Sequence, residues 1–201
     1  MDTSEEETPR PPRSGYANGR ATREEILDRA ADAFAVHGYH GASLRAIARS
    51  ARIDHSTLLH HFEDKTALLL DVLQWRDESA GRILAGLPTT ARDLRDEVAA
   101  LLQHNRSIPG LVQLYAVLMA EAATDGHPAR RFFQERTKRM AALWEDTVRR
   151  LRAESAPQDL HERVLAFLAL WEGLQVFDAV HPGQLDIAHV LDGEVVRLLE
   201  A

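Results

Sequence analysis

The sequence contains no cysteine, which excludes disulfides, thiolate zinc sites and cysteine nucleophiles and fits a reducing compartment. Long apolar runs are also missing. The longest, residues 164–171, has eight residues, whereas a membrane-spanning helix needs roughly 20. The N-terminus has neither the basic segment nor the apolar segment of a secretory signal. We therefore expect a cytoplasmic protein that has no membrane partner.

Aromatic residues make up only 6% of the chain, and alanine, leucine and arginine are abundant, which favours helices over sheets. No segment alternates with period two for long enough to indicate a strand. Prolines 109, 128, 157 and 182 each fall between helical patterns, where proline is tolerated. The sequence predicts an all-α protein of about nine helices.

Known catalytic motifs are absent as well. The chain has no glycine-rich nucleotide loop, no Gly-x-Ser-x-Gly and no His-Glu-x-x-His. A di-iron bundle needs paired Glu-x-x-His motifs, and the nearest sequence, Asp186 to His189, is single and has the wrong acid. We therefore predict no catalytic residue, no metal and no cofactor. An all-helical enzyme stays only as a rival hypothesis.

The net charge of -7 is distributed unevenly along the chain. Residues 1–9 carry four acids and no base, residues 10–65 carry a net charge of +2, and residues 66–201 carry -5. The one positive segment also contains five histidines. A local basic surface matters more for binding nucleic acid than the total charge does.

That positive segment contains two short helical patterns joined by a turn, residues 43–62. In the first, Leu44, Ile47, Ala48 and Ala51 recur at the spacing of one buried helical face. Asp54 is positioned to cap the second. There Leu58 and Phe62 are four residues apart and face the core. The residues left outside are Arg45, Arg49, Arg52, His55, Ser56, Thr57, His60 and His61.

Polar side chains on a short exposed helix suit base edges and phosphates, so we interpret the segment as a helix-turn-helix that binds DNA. The alternative for the three arginines is an ordinary solvated face. A metal site is disfavoured because the adjacent His60 and His61 diverge by about 100° on a helix.

The segment before it shows the signals of one further helix. Thr22 and Glu25 fit a capping box, and Gly38 suits the helix C-terminus. Residues 1–20 are acidic and then proline-rich, and we expect a disordered arm. Its Arg10, Arg13 and Arg20 could reach a minor groove, or the arm could be a solvated tail. We predict a DNA-binding domain over 21–66 and a larger helical domain over 67–201, to which the family resemblance given next assigns effector binding and dimerisation.

From Thr22 to Leu70 the chain closely resembles the DNA-binding domain of the tetracycline-repressor (TetR) family. The matching positions fix a turn, two caps and two core anchors together. They are Phe34, His37-Gly38-Tyr39, Ser43, the helix from Leu44 to Ala51, Ile53 to Leu58, His61-Phe62 and Lys65.

The resemblance implies that Arg45, His55 and Ser56 face base edges. It further implies phosphate contacts for a second set of residues: Ser43, Thr57, His60, His61 and Lys65. One departure is Leu59, which stands where the family usually has a tyrosine that binds phosphate through its hydroxyl.

The resemblance also implies a homodimer on a palindromic operator, with the last two helices of each subunit at the interface. Two apolar stripes support this independently, although they could instead cover the subunit's own core. They consist of Val164, Phe167, Leu168, Trp171 and Leu174, and of Ile187, Val190, Leu191, Val195 and Leu198.

A small-molecule effector is implied to bind among the middle helices, where large and polar residues mix. For each candidate, packing as an ordinary core residue is the stronger alternative, because buried aromatic side chains need no ligand to explain them. The candidates are Trp75, His104, Tyr115, Met119, Phe133, Trp144, Trp171 and Gln175.

The predicted function is thus a ligand-responsive transcriptional regulator, most simply a repressor released from double-stranded DNA. The helix after Asp64, which joins the two domains, is expected to transmit the change. A helical dimeric binding protein that no longer binds DNA is the alternative.

Overall fold

A computed structural model describes residues 14–81, 88–108, 110–152 and 156–200. Within those ranges the chain forms helices and no strand, which confirms the all-α prediction. In chain order the helices are α1 (Ser14–Gly41), α2 (Leu44–Ser50), α3 (His55–His61), α4 (Lys65–Gly81), α5 (Ala91–Ser107), α6 (Leu111–Ala122), α7 (Ala129–Leu151), α8 (Leu160–Val180) and α9 (Ile187–Glu200).

The predicted start of the first helix is wrong. Helix α1 begins at Ser14, so Thr22 lies inside it and does not cap it. No proline lies between these residues, and nothing else in the sequence stops the helix there. Residues 1–13 of the predicted arm, with Arg10 and Arg13, lie outside the described residues, and residues 14–20 belong to α1.

The predicted break at Gly38 is confirmed. Gly38 has φ 66 and ψ -177, a conformation that glycine adopts far more readily than other residues, and it interrupts α1 before Gly41. Asp64 caps α4, because its carboxylate accepts a hydrogen bond from the Ala67 backbone N–H at 2.8 Å.

Two apolar cores divide the described chain. The first core joins α1, α2, α3 and α4 to α6 and the beginning of α7. The second core lies among α5, α7, α8 and α9. Because α4 and α6 share the first core with α1, the N-terminal helices are packed directly onto the body of the molecule. Among the described helices, none is both long and apolar enough to span a bilayer.

Candidate nucleic-acid interface and internal cavity

Helices α2 and α3 are anchored by four buried side chains. Ile47 and Ala48 on α2, and Leu58 and Phe62 at α3, are at most 2% exposed and belong to the first core. Since these anchors fix the inner face of each helix, the remaining polar positions point away from the core, as the sequence predicts.

The turn between α2 and α3 depends on a residue that sequence reasoning did not single out. Arg52 has φ 57, in the left-handed region that is uncommon for residues other than glycine. The next residue, Ile53, donates its backbone N–H to the Ala48 carbonyl at 3.0 Å, closing the end of α2. Arginine gives no sequence signal for this conformation.

Ser43 and Asp54 occupy the predicted N-cap positions of α2 and α3. However, neither side chain makes a capping hydrogen bond, so the predicted capping contacts are wrong. Both residues are exposed. Their side-chain oxygens lie at helix N-termini without reaching the backbone N–H groups, which leaves those N–H groups available to an outside acceptor.

The outer surface of α2 and α3 carries three exposed arginines, Arg45, Arg49 and Arg52. Within the described ranges, no carboxylate pairs with any of them, whereas most arginines of the body form ion pairs, such as Arg95 with Asp192 and Arg106 with Asp178 at 2.9 Å. We call this surface the basic face. Its other members are Ser43, His55, Ser56, Thr57, His60 and His61.

Lys65 is more constrained than the sequence predicts. Its Nζ donates to the carbonyls of His40 at 3.4 Å and Ala42 at 3.1 Å, and it lies 4.6 Å from the centre of the Tyr39 ring. Two of its three N–H donors are therefore occupied. Lys65 ties α4 to the segment before α2, and only its third donor is left for a phosphate.

Leu59 projects from the outer side of α3 with 41% of its surface exposed. It therefore stands on the basic face, as its place in the motif predicts. A leucine here offers only an apolar contact, because it has no hydroxyl to donate.

A cavity of about 1200 Å³ opens between α4, α6, α7 and α8. Four of the eight predicted effector residues line it: Tyr115, Met119, Trp171 and Gln175. A smaller adjoining cavity is lined by Trp144 and again by Trp171. The two cavities share several wall residues, so Trp171 stands between them.

The other three predictions are not supported by the structure, because Trp75, His104 and Phe133 line neither cavity. Trp75 and Phe133 pack in or against the first core, and His104 lies 3.5 Å from the Ser79 hydroxyl. Large side chains in a helical core need no ligand to explain them.

A polar cluster that the sequence did not reveal lies on the wall of the large cavity. Arg136 donates from Nε to Asp77 at 2.9 Å and from an amino group to Glu172 at 3.0 Å. The Tyr115 hydroxyl donates to Asp77 at 2.8 Å. The four residues come from α4, α6, α7 and α8, so only the fold brings them together.

Both hydrogen-bond donors of this cluster keep their protons. Burial, assisted by Asp77, raises the pKa of the Tyr115 hydroxyl well above its ordinary value. Burial lowers the pKa of Arg136, but the Glu172 and Asp77 carboxylates outweigh this effect and raise it overall. The cluster therefore contains one fixed positive charge between two carboxylates.

The comparisons with known proteins begin at the basic face. Residues 26–72 match the family model described as "Bacterial regulatory proteins, tetR family". This segment is similar to the DNA-binding domain of TetR-family regulators. This matched segment contains α2, α3 and the first eight residues of α4, and α2 and α3 build the basic face.

Two curated relatives extend the comparison. The chain is 41% identical over 59 residues to the HTH-type transcriptional regulator UidR of Escherichia coli K12, covering 29% of this chain and 30% of UidR. It is 27% identical over 165 residues to the HTH-type transcriptional repressor KstR2 of Rhodococcus jostii RHA1, covering 82% of this chain and 68% of KstR2.

A solved structure shares the fold over nearly the whole chain. The transcriptional regulator FadR of Bacillus subtilis, in complex with stearoyl-CoA, superposes with a TM-score of 0.69 at 13% identity, covering 88% of this chain and 97% of FadR.

Glu121 of α6 joins the cavity region to the N-terminal helices. Its carboxylate accepts the Tyr39 backbone N–H at 2.7 Å and lies 3.5 Å from Nε2 of the buried His127. The Tyr39 and Thr66 hydroxyls are hydrogen-bonded at 2.8 Å. Sequence reasoning missed Glu121, since an exposed-looking glutamate on a helix carries no signal.

The predicted dimer residues lie mostly within the chain's own second core. Eight are at most 8% exposed: Val164, Phe167, Trp171, Leu174, Ile187, Leu191, Val195 and Leu198. The other two, Leu168 and Val190, pack against that core. Buried side chains are not available to a partner chain. The stripes therefore fit the alternative interpretation, in which they cover the subunit's own core.

A different face of α8 is exposed and apolar. Val176, Phe177 and Val180 are 39%, 40% and 66% exposed. They continue a line of small exposed residues along the same face, Ala166, Ala169 and Gly173. We call this line the α8 stripe.

Proposed function

We propose that this chain is a DNA-binding transcriptional regulator, most simply a homodimeric repressor that a small molecule releases from a palindromic operator. The observation that carries the proposal is the basic face, whose arginines have no carboxylate partner in the described chain. Unpaired cations on a helix-turn-helix suit the phosphates of double-stranded DNA. Acting on chromosomal DNA would place the protein in the cytoplasm.

Within the basic face, the exposed Arg45 and Ser56 and the half-buried His55 are proposed to contact base edges. Thr57, His60 and His61 are proposed to bind phosphates. Ser43 has a hydroxyl free of capping contacts and suits a phosphate as well. Lys65 contributes less, because two of its donors are bound to backbone carbonyls.

The α8 stripe supports a homodimer. Its exposed valines and phenylalanine would lose contact with water against a second copy of the same helix, and its small residues allow two helices to approach closely. A twofold axis would place two α3 helices in successive major grooves, about 34–36 Å apart, which explains why the operator should be palindromic.

The cavity supports a small-molecule effector. It is mostly apolar with a few convergent polar groups, the usual form of ligand sites, and the FadR structure shows that the same fold accommodates a ligand. A ligand releases DNA only if it binds one arrangement of the N-terminal domain better than the other. Helices α4 and α6 both reach from the cavity to that domain, so they are the proposed route.

The experiment is a mobility shift with the region upstream of the chain's own gene. Arg45→Ala should weaken specific binding by about 1–3 kcal/mol and relax the preference at one base pair. Arg92→Ala is the matched control, because it removes an arginine that is 88% exposed on α5 and leaves the basic face intact.

If the folded dimer shows no DNA binding even at low salt, the proposal fails, and the chain would be a helical binding protein. An equal loss on specific and random DNA would instead assign Arg45 to a phosphate. No arrangement of side chains in the described residues favours an enzyme, so we propose none.

A further inference from the structure

A buried histidine lies where the N-terminal helices meet the turn between α6 and α7. The side chain of His127 is only 1% exposed. Its Nδ1 accepts the Ala129 backbone N–H at 3.2 Å. A neutral imidazole carries one proton, so when Nδ1 is the acceptor that proton is on Nε2. The packing therefore selects the neutral ring and one of its two tautomers.

The other ring nitrogen lies beside a carboxylate that is already in use. Nε2 of His127 is 3.5 Å from Oε2 of Glu121, and among the described residues it has no hydrogen-bond partner. The same Oε2 accepts the Tyr39 backbone N–H at 2.7 Å. A change at the His127 ring can therefore reach Tyr39 through one oxygen atom of Glu121.

The remaining titratable and charged groups around His127 come from α1, α4 and its own turn. The rings of Tyr39 and His40, at the end of α1, stand edge-on to His127 with centres 5.2 and 5.8 Å away. Lys65 of α4 lies 4.6 Å from the centre of the Tyr39 ring. In the turn itself, the neighbouring charges belong to Asp125 and Arg130, which pair with each other.

This cluster also holds the segment that leads into α2. Lys65 donates to the carbonyls of His40 and Ala42, and the Tyr39 hydroxyl is hydrogen-bonded to Thr66. The segment follows the break at Gly38, so no continuous helix fixes its direction. Its position depends on these side-chain contacts, of which the Tyr39 bond to Glu121 is the one that ties it to α6.

A second proton on His127 would disrupt this arrangement in two ways. It would occupy Nδ1, so that two N–H donors would face each other at Ala129. The positive ring would also attract Glu121, whose Oε2 holds the Tyr39 N–H. Burial and the neighbouring His40 lower the pKa of His127, and the Glu121 carboxylate offsets this only in part. Protonation is thus coupled to the ring leaving its buried position.

We propose that His127 is a positioning residue that makes the placement of the helix-turn-helix depend on pH. With a neutral ring, Glu121 holds Tyr39 against α6. With a protonated ring, this contact opens and frees the segment before α2. The effect on DNA rests on the proposed function, whereas the pH-dependent opening is a property of the folded chain alone.

The first measurement is the protection of the Tyr39 amide against hydrogen exchange, followed by NMR in the full chain. Between about pH 7.5 and about pH 5.5 its protection factor should fall about tenfold, because a released histidine of ordinary pKa is about tenfold more often protonated than neutral at the lower pH. His127→Asn should show no such fall, since its amide oxygen still offers the Ala129 N–H an acceptor and does not titrate. His189→Gln, at an exposed position on α9, is the matched control and should keep the fall.

The second measurement is operator affinity over the same pH range, at one salt concentration. An opened contact lowers the fraction of chains whose two α3 helices are correctly spaced for DNA. The parent chain should therefore lose at least about threefold more affinity than His127→Asn. The comparison between the two chains is needed because His55, His60 and His61 gain charge at low pH in both and favour DNA binding.

An equal fall of Tyr39 protection in the parent chain and in folded His127→Asn would overturn the inference, as would constant protection in the parent chain. If His127→Asn does not fold, His127→Gln takes its place and is interpreted in the same way. If neither folds, the His127 ring is titrated by NMR in the parent chain, and a ring that gains its proton while Tyr39 stays protected would overturn the inference.

DNA binding on the same samples separates this inference from the proposed function. If Tyr39 protection falls as expected but the folded chain binds no DNA at any pH, the regulator function is wrong and the pH-dependent opening stands. If DNA binds with the same pH dependence in the parent chain and in His127→Asn, the regulator function stands and His127 does not position the helix-turn-helix.

Discussion

Replacing Gly38 with alanine tests whether the break in α1 depends on close contact with the Glu121 carboxylate of α6. Gly38 has φ 66 and ψ -177, and a Cβ atom added there would lie 2.1 Å from Oε1 of Glu121. The carboxylate would have to move away, and in moving it would lose its 2.7 Å hydrogen bond from the Tyr39 N–H. Two costs therefore combine, backbone strain and a broken charged hydrogen bond.

Both costs have expected sizes. A non-glycine residue in this backbone region costs about 1–3 kcal/mol, and the lost hydrogen bond costs about 1–3 kcal/mol. Gly38→Ala should thus lower the free energy of unfolding by about 2–6 kcal/mol. Glu121→Ala alone should cost only the bond, about 1–3 kcal/mol. The double variant should cost no more than Gly38→Ala, because the bond is lost only once.

The assay is urea denaturation followed by far-UV circular dichroism, at one protein concentration because dimerisation shifts apparent stability. Gly126→Ala is the matched control, since Gly126 has φ 78 and nothing lies within 4 Å of the added Cβ. It should show backbone strain alone, with no coupling to Glu121→Ala. If the costs of Gly38→Ala and Glu121→Ala simply add, to within about 0.5 kcal/mol, Glu121 does not depend on Gly38 and the reasoning fails.

Three further predictions concern single side chains. Leu59→Tyr should raise operator affinity about fivefold, worth about 1 kcal/mol for one phosphate hydrogen bond, whereas Leu143→Tyr, equally exposed at 41%, should leave it unchanged in the same filter-binding assay. Burial lowers the pKa of His127, partly opposed by Glu121. The neutral His127 ring contributes fully to the free energy of unfolding above about pH 6.5, and this contribution is lost as the pH falls below that value. On acidification the urea midpoint of His127→Gln should therefore fall less than that of the parent chain. Trp171→Ala should cost about 3–5 kcal/mol, because Trp171 is only 7% exposed; a loss below about 1 kcal/mol would show that the cavity wall collapses freely.

Sequence patterns predicted the helices, the break at Gly38 and the buried anchors Leu58 and Phe62, because each depends on local spacing or on one residue's own preferences. The family resemblance put Leu59 at a position that usually binds phosphate, and it lies on the outer side of α3. Periodicity identifies a buried face but does not say what covers it. The stripes of α8 and α9 were therefore open to two assignments, a partner chain or the subunit's own core, and they cover the second core.

Other features depend on contacts that spacing does not record. Lys65 is turned toward the carbonyls of His40 and Ala42, more than twenty residues earlier. Glu121 reaches Tyr39 across 82 positions of the chain. The cluster around Arg136 combines four helices. Each of these residues looks like an ordinary surface charge until the fold is known.

The place of Glu121 leads to a last prediction, on communication between the cavity and the basic face. Tyr115, on the cavity wall, and Glu121, on the Tyr39 N–H, lie six residues apart on α6, a rise of about 9 Å. A ligand that shifts α6 would move Glu121 and hence the segment before α2. In Glu121→Ala, a probe ligand of the large cavity and DNA should each still bind, but the probe should change DNA affinity much less than in the parent chain.

The measured quantity is the ratio of DNA dissociation constants with and without the probe, since coupling between two sites is a free energy distinct from either affinity. Glu135→Ala, on the exposed side of α7, is the control and should keep the parent ratio. If Glu121→Ala also keeps that ratio, the signal does not pass through α6. Helix α4 would then be the route, since it carries Asp77 at the cavity and Thr66 against Tyr39. The two outcomes distinguish a signal that enters through Tyr115 from one that enters through Asp77, although the two side chains are hydrogen-bonded to each other.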